Sequence, residues 1–554
     1  EIYTLSLHDA LPICVSAMPM VAAGNAHVLA IRADGTVWSW GGNAYGQLGL
    51  GNNVLGNKSE PTEIIALRGK KIVSVAAGEF HSLAIDADGR VYVWGSNQRG
   101  QTGLDSLENA IYTPTMLPNI SNVRKILGGR DHSVILTGGG DIYTFGDNSH
   151  GQLGTGSMKD FERVPVRVKS INKIIDISFG AGGNCNIVLR YDGTVWAWGA
   201  NNNKQISSEE HSNQSYRAPI RINMGQFEGQ ISRVYNGLSH SLALLNDGRV
   251  IAWGDNARGQ LGTGDKNPVI GPTLVKDLGG VLDLDVGATH NIALTEEGDV
   301  YAWGDGDYGR LGVGRANGET GYSQTKPIKV TYFNRNAIFI AAGGAASYVL
   351  KNDGYLYSFG VNDKGQLGNG ESGESGEFTN VEDSYKYSPV LVSGKQMKIT
   401  PESFRIAAGG TENVEFTASR FNMFRDIEPN ATEYKWEITD EKDVHGANAG
   451  TGNIARFFND PNTGQIDNKK LLGVKEGTAL LTITDKVSGY VAKAEIQVVN
   501  PDLIRPDKII MEHVVAKDLA VNDAVTKGFL DSDEYEKTVL PNGNIIYNLK
   551  SIKG

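Results

Sequence analysis

The chain has 554 residues, which is enough for about two to four domains and a large buried core. It carries 52 basic and 63 acidic residues, a formal net charge of −11. An acidic surface repels phosphate groups, so we expect no nucleic-acid partner and no attachment to an anionic membrane. The sequence holds no apolar run of about 18 residues, so we also expect no membrane span.

The first residues are interpreted as foreign to the protein. The segment from Tyr3 to Ile13, YTLSLHDALPI, resembles the translation of a sequencing adapter, and the chain begins at Glu1 instead of methionine. We therefore expect residues 1–14 to be an artefact and leave them out of the fold. An export signal upstream would then be invisible in this sequence. Cys185 is the cysteine that remains, and one cysteine predicts no disulfide framework.

A ten-residue motif, WGGNAYGQLG in its first copy, occurs seven times. The copies lie 50 to 56 residues apart and begin at an aromatic residue: Trp40, Trp94, Phe145, Trp198, Trp253, Trp303 and Phe359. Self-similarity at a period of about 50 residues is typical of an array of units that bury their apolar faces only against one another.

Each repeat predicts about four short strands. A glycine lies five residues before the aromatic and follows an aspartate in five copies, which indicates a hairpin. We expect a type I′ turn, with positive φ at both central residues. The outgoing strand alternates, as in Val37-Trp38-Ser39-Trp40. A run that starts with proline closes the repeat, as at Pro61, and we expect this proline at the first residue of an edge strand.

Seven regular repeats of about four strands favour a closed β-propeller with seven blades. An open array would need polar, atypical units at its ends, whereas the first and seventh copies are as regular as the others. The first copy lacks a preceding proline strand. We therefore expect the last strand, from Pro389 to Val392, to complete the first blade and fasten the ring.

Three motifs resemble those of a known family: the strand G-x-x-H-S-L-A-L, the hairpin D-G-x-V-x-x-W-G and the turn N-x-x-G-Q-L-G. Through them, residues 21 to 394 resemble the regulator-of-chromosome-condensation family. The resemblance implies a seven-bladed β-propeller, which we assign to residues 15–394. It also implies two activities seen on this ring, guanine-nucleotide exchange on a small GTPase and inhibition of a secreted enzyme.

The sequence changes in character after residue 394. Residues 395–500 contain alternating runs such as Tyr434-Lys435-Trp436-Glu437-Ile438, which predict a β-sandwich. The stretches KEGTALLTITD and YVAKAEIQVV resemble bacterial group 2 immunoglobulin-like modules, with a long polar insertion from Asp440 to Asp467. Such modules are spacers in exported proteins, so the resemblance implies a bacterial protein that is extracellular or on the cell surface. Residues 501–554 stay unassigned, and we expect truncation there.

Two recurring polar positions are interpreted as structural. Five histidines share one repeat position: His27, His81, His132, His240 and His290. A metal ion needs ligands that converge on one point, whereas these positions are spread around a ring, and Cys185 and Ala346 replace the histidine in two repeats. The turn asparagines, such as Asn43 and Asn97, more simply bond their own backbone. We expect no metal, no cofactor and no catalytic residues.

The loops that differ between repeats are the candidate interaction sites, because a rigid scaffold presents binding residues on its loops. The candidates lie in the fourth, sixth and seventh repeats: Tyr216, Arg315, Tyr322, Glu371, Glu374, Glu377, Glu382 and Asp383. The alternative for each loop is that it is solvated surface and binds no partner. The fourth repeat departs most from the motif, with Lys204, Ile206 and Ser207 where others have Gly, Leu and Gly, which we interpret as drift.

The sequence therefore predicts an all-β protein, a seven-bladed β-propeller followed by an immunoglobulin-like β-sandwich. We expect a binding or scaffold protein and not an enzyme, with a protein or glycan as partner. Exchange on a small GTPase is the first alternative, although no insertion after the third repeat and no basic segment matches that activity. A protein inhibitor of a secreted enzyme is the second alternative.

Overall fold

A computed structural model describes most of the chain. The described residues are 20–32, 35–178, 183–206, 215–314, 323–373, 384–400, 403–409, 411–413, 417–422, 434–445, 447–459, 466–485, 491–499, 535–539 and 545–549. The chain divides into two compact units, Glu1–Lys395 with Arg420–Ile427 and Gln396–Ser419 with Glu428–Gly554. Within the described ranges, no helix is long and apolar enough to cross a bilayer.

The first unit consists of seven four-stranded sheets, each built from consecutive strands. Blades one to three contain β1 (Met20–Ala23), β2 (His27–Ile31), β3 (Val37–Gly41), β4 (Lys58–Glu63), β5 (Ile72–Ala77), β6 (His81–Asp86), β7 (Val91–Ser96), β8 (Ala110–Met116), β9 (Val123–Gly128), β10 (His132–Thr137), β11 (Ile142–Asp147) and β12 (Phe161–Arg167). The propeller with seven blades that the repeats predict is confirmed.

Blades four to seven follow the same plan. Their strands are β13 (Ile174–Ser178), β14 (Cys185–Arg190), β15 (Val195–Gly199), β16 (Tyr216–Arg221), β17 (Ile231–Asn236), β18 (His240–Leu245), β19 (Val250–Gly254), β20 (Val269–Leu274), β21 (Val281–Val286), β22 (His290–Thr295), β23 (Val300–Gly304), β24 (Gln324–Lys329), β25 (Ala337–Ala342), β26 (Ala346–Lys351), β27 (Leu356–Val361) and β28 (Tyr385–Leu391). Short 3₁₀ helices lie at Ile65–Leu67, Gly225–Phe227, Asp307–Gly309 and Thr331–Phe333.

Strand direction gives the ring two different faces. Neighbouring strands in a blade are antiparallel, as β5 to β8 show. The first turn of each blade and the loop between its third and fourth strands therefore share one face, which we call the loop face. The Asp-Gly hairpins and the connections to the next blade share the opposite face, the hairpin face. The first strands of neighbouring blades lie side by side, as β1 does with β5 and β25.

The apolar core of the ring lies between blades. Seven clusters of buried residues each combine side chains from two adjacent blades. The cluster between the last blade and the first joins Val21 and Trp40 to Ala346, Tyr348 and Leu356. Side chains of a strand alternate between the two faces of its sheet, so both faces need a neighbour. Each blade covers one face of the next blade, and the seventh blade covers the first, so the ring closes.

The strand predicted to fasten the ring does not enter the first blade. β28, which contains Pro389, pairs with β27 in the seventh blade. The prediction is wrong because β1 pairs with β2 and leaves no vacant position in the first blade. Backbone bonds between the two blades close the ring instead: Gly344 N donates to Gly24 O at 3.0 Å, and Gly370 N donates to Ser59 O at 2.9 Å.

Two local predictions also need correction. In the described Asp-Gly hairpins only the glycine has positive φ, for example +74° at Gly89. Gly89 N donates to Asp86 O and Asp86 N donates to Arg90 O, so the loop has three residues and combines a type I turn with a bulge. Pro61 lies inside β4 and not at its start. The register between β4 and β3 shifts around this proline. An outer edge and a bulge both tolerate the missing N–H.

The second unit includes two sheets that share one core. Its region of the chain includes β29 (Ser393–Thr400), β30 (Ser403–Ala407), β31 (Thr411–Asn413), β32 (Thr417–Asn422), β33 (Tyr434–Asp443), β34 (Ala455–Asn459), β35 (Ile466–Gly473), β36 (Gly477–Asp485), β37 (Val491–Val499), β38 (Tyr535–Val539) and β39 (Ile545–Leu549). One sheet has the order β30-β37-β36-β33, with β30 parallel to β37, and the other β31-β35-β34. Both supply the core, which includes Ile406, Leu471 and Ile496.

The segment from Asp440 to Asp467, expected to be a polar insertion, contributes to that core. Ile454 and Ala455 are fully buried. The carboxylate of Glu441, only 5% exposed, accepts hydrogen bonds from the backbone N–H groups of Gly452, Ile454 and Ala455. A carboxylate that receives several N–H donors holds an irregular loop in one conformation. Glu441 therefore positions the apolar residues that follow it.

Replacing Trp94 tests the packing between blades. Its ring is fully buried and its Nε1 donates to Gln47 O at 2.8 Å. We expect Trp94→Ala to lower the free energy of unfolding by about 3–5 kcal/mol, because it opens a cavity between two blades. Chemical denaturation followed by circular dichroism measures this. Tyr191→Ala, at a residue 80% exposed on the hairpin face, is the control and should change stability by less than about 0.5 kcal/mol. Equal midpoints for the two variants would contradict the packing described here.

Replacing Glu441 tests the organisation of the second unit. Glu441→Ala leaves three backbone donors without their acceptor and should destabilise that unit by about 2–3 kcal/mol. Glu441→Gln keeps one carbonyl oxygen and should cost less. Hydrogen exchange at residues 452–455 measures the change. Exchange rates that do not differ between the alanine variant and the unmodified chain would show that the loop holds without this carboxylate.

Candidate binding surface on the loop face

The repeated histidines bond across blade boundaries. In five blades the Nε2 atom lies within hydrogen-bond distance of a serine or asparagine in the next blade, at 2.8 to 3.3 Å. The pairs are His27 with Ser82, His81 with Ser133, His132 with Asn186, His240 with Asn291, and His290 with Ser347. Within the described ranges, no group of His, Cys, Asp or Glu is placed to hold a metal ion.

The partner of each histidine also bonds back to the blade before it. Ser82 Oγ donates to the carbonyl of Gln47 at 2.8 Å, and Trp94 Nε1 donates to the same carbonyl at 2.8 Å. Because the serine gives its only proton to Gln47, it must accept from His27, so His27 carries its proton on Nε2. Burial lowers the pKa of His27 to about 3, and the ring stays neutral. We call this set of bonds the blade clamp.

Two junctions build the blade clamp from other residues. Between the last and first blades, Ala346 and Val28 occupy the histidine and serine positions. There Tyr348 OH and Trp40 Nε1 both donate to Gln366 O, at 2.7 and 2.9 Å. In the fourth blade Cys185 replaces the histidine, and burial raises the pKa of its thiol to about 12. That thiol is therefore protonated and unreactive at neutral pH.

The turn asparagines hold the loops between the third and fourth strands. Asn97 Oδ1 accepts from Thr102 N at 3.3 Å, and its Nδ2 donates to the carbonyls of Ser106 and Glu108 at 3.1 and 3.0 Å. We call this arrangement the loop clamp. It recurs at Asn43, Asn148 and Asn256. The clamp reaches 9 to 11 residues along the chain, farther than a turn that bonds only its own backbone.

Two of the candidate loop residues lie in the described part of the chain. Glu371 pairs with Lys386 at 3.1 Å, with 45% of its side chain exposed, and its carbonyl accepts from Asn362 Nδ2. Tyr216 is half-buried and packs against the core between blades four and five. The other candidates lie outside the described residues: Arg315, Tyr322, Glu374, Glu377, Glu382 and Asp383. In the divergent fourth repeat, Ile206 is fully buried where five of the other repeats have leucine.

An aromatic cluster links the loop faces of blades six and seven. Tyr308 and Tyr385 meet edge to face with 5.6 Å between ring centroids, and Tyr385 meets Tyr387 at 5.2 Å. Tyr308 is 52% exposed and has a φ of +59°. The guanidinium of Arg310 lies 5.8 Å from the Tyr308 ring and pairs with Asp305 at 3.1 Å. The three rings form a partly exposed surface on rigid backbone, which we call the tyrosine cluster.

The repeat motif does not predict this cluster, although the sequence carries a signal for it. The sixth copy reads WGDGDYGRLG, with Gly306 and Arg310 where other copies have asparagine and glutamine. Gly306 removes the loop clamp from this blade. The second signal is the run Tyr385-Lys386-Tyr387 at the start of β28. Only the fold brings these two segments together, because they belong to different blades.

Family comparisons cover the ring. The model of the RCC1-like domain matches residues 7–230. Models of the Regulator of chromosome condensation (RCC1) repeat match residues 247–294, 297–350 and 353–412, and also 233–260 and 281–310. The chain carries an RCC1-repeat β-propeller. The first match begins inside residues 1–14, so the adapter origin of that segment stays a prediction. None of these matches extends beyond residue 412.

Individual RCC1 relatives match about half of the chain. The human probable E3 ubiquitin-protein ligase HERC6 is 31% identical over 275 residues, which are 48% of this chain and 26% of HERC6. The ultraviolet-B receptor UVR8 of Arabidopsis thaliana is 32% identical over 259 residues, 47% of this chain and 58% of UVR8. The chain thus spans less than two thirds of the length of either relative.

Solved structures agree on the RCC1 fold. Human WBSCR16 is 25% identical with a TM-score of 0.54, and the match covers 61% of this chain and 89% of WBSCR16. Prp20p of Saccharomyces cerevisiae, a structure described together with its binding to Gsp1p and histones, has a TM-score of 0.55 and covers 74% of this chain and 94% of Prp20p. At 19% identity, Prp20p supports the fold alone.

In this RCC1 propeller, ion pairs join the first strands of blades three and four and those of blades five and six. Lys125 pairs with Asp176 at 2.7 Å, and Arg233 pairs with Asp283 at 2.8 Å. Asp285 accepts from the backbone N–H of Ala342 in blade seven at 2.8 Å. Burial raises the pKa of Asp285 to about 7, and the nearby Asp283 carboxylate adds to the rise. These bonds link blades near the centre of the ring, and the blade clamps link them farther out.

The neutral histidines make the RCC1 propeller sensitive to acid. An unfolded histidine binds a proton below pH 6.5, whereas burial holds the folded pKa at about 3 for His81 and about 4 for His240. Their stabilising effect is therefore complete above pH 6.5 and is lost as the pH falls through the folded pKa values of about 4 and 3. Asp285, Asp131 and Glu79 act in the opposite direction, because burial raises the pKa of each carboxyl and so favours the folded state as the pH falls, but they are three groups against five.

The slope of stability against pH checks this prediction. Between pH 6 and 4.5, the free energy of unfolding should fall with decreasing pH, and His81→Asn should reduce that slope by about 1.4 kcal/mol per pH unit. His150→Asn, at a half-exposed turn residue outside the blade clamps, is the control. Tryptophan fluorescence in denaturant titrations gives the values. Identical slopes for the three proteins would mean that the buried histidines take up protons in the folded ring.

Proposed function

We propose that the protein is a non-catalytic binding scaffold of a bacterial surface or secreted type, whose loop face engages a protein or glycan. The tyrosine cluster is the observation that carries this proposal. Tyr308, Tyr385 and Tyr387 combine apolar ring faces with hydroxyl groups that can donate and accept hydrogen bonds. Side chains of this kind dominate many binding surfaces, because they bury a large area and have few rotatable bonds to immobilise.

The surroundings of the cluster support a binding role. Gly309 follows Tyr308 and packs directly on the backbone of Lys386 and Tyr387, so the two blades hold the rings in a fixed arrangement. The guanidinium of Arg310 is only 8% exposed and also donates to Asp307 O at 2.9 Å. A rigid aromatic surface loses little conformational entropy when a partner binds. The candidate loops of the sixth and seventh repeats begin beside this surface.

The second unit supports the part of the proposal that concerns location. Its two sheets share one core, and its sequence resembles bacterial immunoglobulin-like modules that serve as spacers in exported proteins. A spacer followed or preceded by a rigid ring is a suitable way to present a binding face away from a cell. Recovery of the gene beyond both ends of this sequence, with an export signal, would add to this support.

Nucleotide exchange on a small GTPase is the alternative from a regulatory class. Prp20p, described with its binding to Gsp1p, shares the ring but is only 19% identical. We expect no acceleration of nucleotide release when the chain is added to a GTPase loaded with a fluorescent guanine nucleotide. Acceleration would replace the scaffold proposal by this alternative. Inhibition of a secreted enzyme is the remaining alternative, and residual activity of β-lactamase in the presence of the chain tests it.

A matched pair of tyrosine variants tests the binding surface. Tyr308→Ser removes the exposed ring of the cluster, and Tyr191→Ser removes a ring that is 80% exposed on the opposite face. The chain is immobilised and titrated with peptidoglycan fragments and with purified bacterial surface proteins. We expect the Tyr308 variant to bind at least about tenfold more weakly and the Tyr191 variant to bind as the unmodified chain does. Equal binding by both variants would contradict the proposal. Failure of the unmodified chain to bind either class of partner would also contradict it.

A further inference from the structure

The motif turn of blade six differs from the other six turns beside Tyr308. In the other blades a glutamine of the motif accepts a hydrogen bond through Oε1 from the backbone N–H two residues before it, at 2.8 to 2.9 Å. The donors are Tyr45, Arg99, His150, Asn203, Arg258 and Lys364. Blade six has Arg310 in place of this glutamine, and a guanidinium has five N–H donors but no acceptor. Arg310 therefore cannot accept the N–H of Tyr308.

Arg310 keeps one hydrogen bond of the glutamine and reverses the other. In blade five, Gln260 Nε2 donates to the Asp255 carboxylate at 3.0 Å. In blade six, Arg310 Nη1 pairs with Asp305, at the same motif position, at 3.1 Å. Where the glutamine accepts from a backbone N–H, however, Arg310 Nε donates to the carbonyl of Asp307 at 2.9 Å. The two side chains thus bond opposite ends of equivalent peptide units.

The backbone on either side of that peptide unit is the same in blades five and six. In both blades the N–H of the preceding residue donates to the motif aspartate at 3.1 Å. The glycine that follows has a φ of +76° at Gly259 and +81° at Gly309. Tyr308, between these points, has a φ of +59°, and none of the six equivalent residues has a positive φ. A type I turn becomes a type II turn, with positive φ at its third residue, when the central peptide unit turns over.

The position of the tyrosine ring differs between the two kinds of turn. Blade one also has a tyrosine at this motif position, Tyr45, in a turn that keeps the glutamine bond. Tyr45 is half-buried and meets Phe80, in the first turn of the next blade, with 5.3 Å between ring centroids. Tyr308 is 52% exposed and instead meets Tyr385, in the fourth strand of the next blade, at 5.6 Å. The turned peptide therefore accompanies a ring that joins the exposed cluster.

We propose that Arg310 is the positioning residue of the tyrosine cluster: its bond to the carbonyl of Asp307 holds the turned peptide and directs the Tyr308 ring towards Tyr385. This proposal rests on the binding function proposed above and names the residue that creates its surface. Positive φ is disfavoured for a residue with a large side chain, so the turn needs an interaction that holds it. Arg310 can supply that interaction because it is only 8% exposed and is fixed by its ion pair with Asp305.

Cross-linking of the two rings tests the proposal without a binding partner. Arg310→Gln restores the motif glutamine, which can accept from Tyr308 N and donate to Asp305. We expect the turn to revert and the rings of Tyr308 and Tyr385 to separate. Oxidative dityrosine cross-linking, followed by mass spectrometry of proteolytic peptides, measures their contact. The cross-link between residues 308 and 385 should fall to the background given by Tyr308→Phe.

Two further variants separate the role of the donor from general disruption of the turn. Arg310→Lys retains N–H donors and adds no acceptor, so it should keep the cross-link. Arg99→Gln makes the same exchange at an exposed residue in the turn of blade two and should also keep it. A lysine variant that loses the cross-link as the glutamine variant does would show that the donor does not hold the turn.

Binding of peptidoglycan fragments and of purified bacterial surface proteins is the second measurement. We expect Arg310→Gln to bind at least about tenfold more weakly than the unmodified chain, as Tyr308→Ser does, and Arg99→Gln to bind normally. The midpoint of thermal unfolding should not fall in the glutamine variant, because the positive φ at Tyr308 is relieved. If the midpoint falls, the double variant Gly306→Asn/Arg310→Gln, which restores both motif residues, takes its place.

The contrary results differ for the two proposals. An undiminished cross-link in the glutamine variant would overturn the role of Arg310, even if Tyr308→Ser abolishes binding. Loss of the cross-link with unchanged binding would also overturn it, because the ring that Arg310 positions would not serve the binding surface. If the unmodified chain binds neither class of partner, the binding function fails, and the cross-link still decides whether Arg310 positions Tyr308.

Discussion

One backbone carbonyl in each turn, represented by Gln47 O in the first blade, joins neighbouring blades of this ring. It accepts hydrogen bonds from Ser82 and Trp94, both in the next blade. Buried carbonyls without partners are costly, so each turn is stable only when the following blade is in place. The dependence passes from blade to blade and returns to the first, which is why the ring closes without a strand shared between its ends.

The same carbonyl explains which substitutions the repeats tolerate. Phe145 and Phe359 lack the indole N–H, and in those junctions a single serine bond remains, from Ser133 and Ser347. At the closing junction the histidine and the serine are both absent, and Tyr348 supplies the second donor. A Cβ at Gly368 would collide with the Trp40 ring. The glycine of the turn therefore packs directly against the aromatic residue of the next blade. Residues that lie far apart in the sequence are thus linked across blades.

The sequence predicts the blades because their contacts recur, and it fails where contacts do not recur. Seven copies of one motif were enough for the number of sheets and their strands. The turn type was mistaken, since an Asp-Gly pair suits both a two-residue and a three-residue loop, and only Gly89 has positive φ in the latter. The role of β28 was mistaken because strand pairing at the ends of a repeat is a tertiary property. The tyrosine cluster depends on a departure from the motif and on contact between two blades, and neither is periodic.

The loop clamp separates the stability of the ring from the chemistry of its surface. The Nδ2 group of Asn97 donates to two backbone carbonyls, so the residue between those carbonyls can change without loss of either hydrogen bond. Leucine, methionine and lysine all occupy that place, as Leu107, Met158 and Lys266 show. Blade six lacks the asparagine and instead packs Tyr308 against Tyr385 of the next blade. Where the clamp is absent, the side chains of the loop face take over the positioning, and surface chemistry and local structure then depend on the same residues.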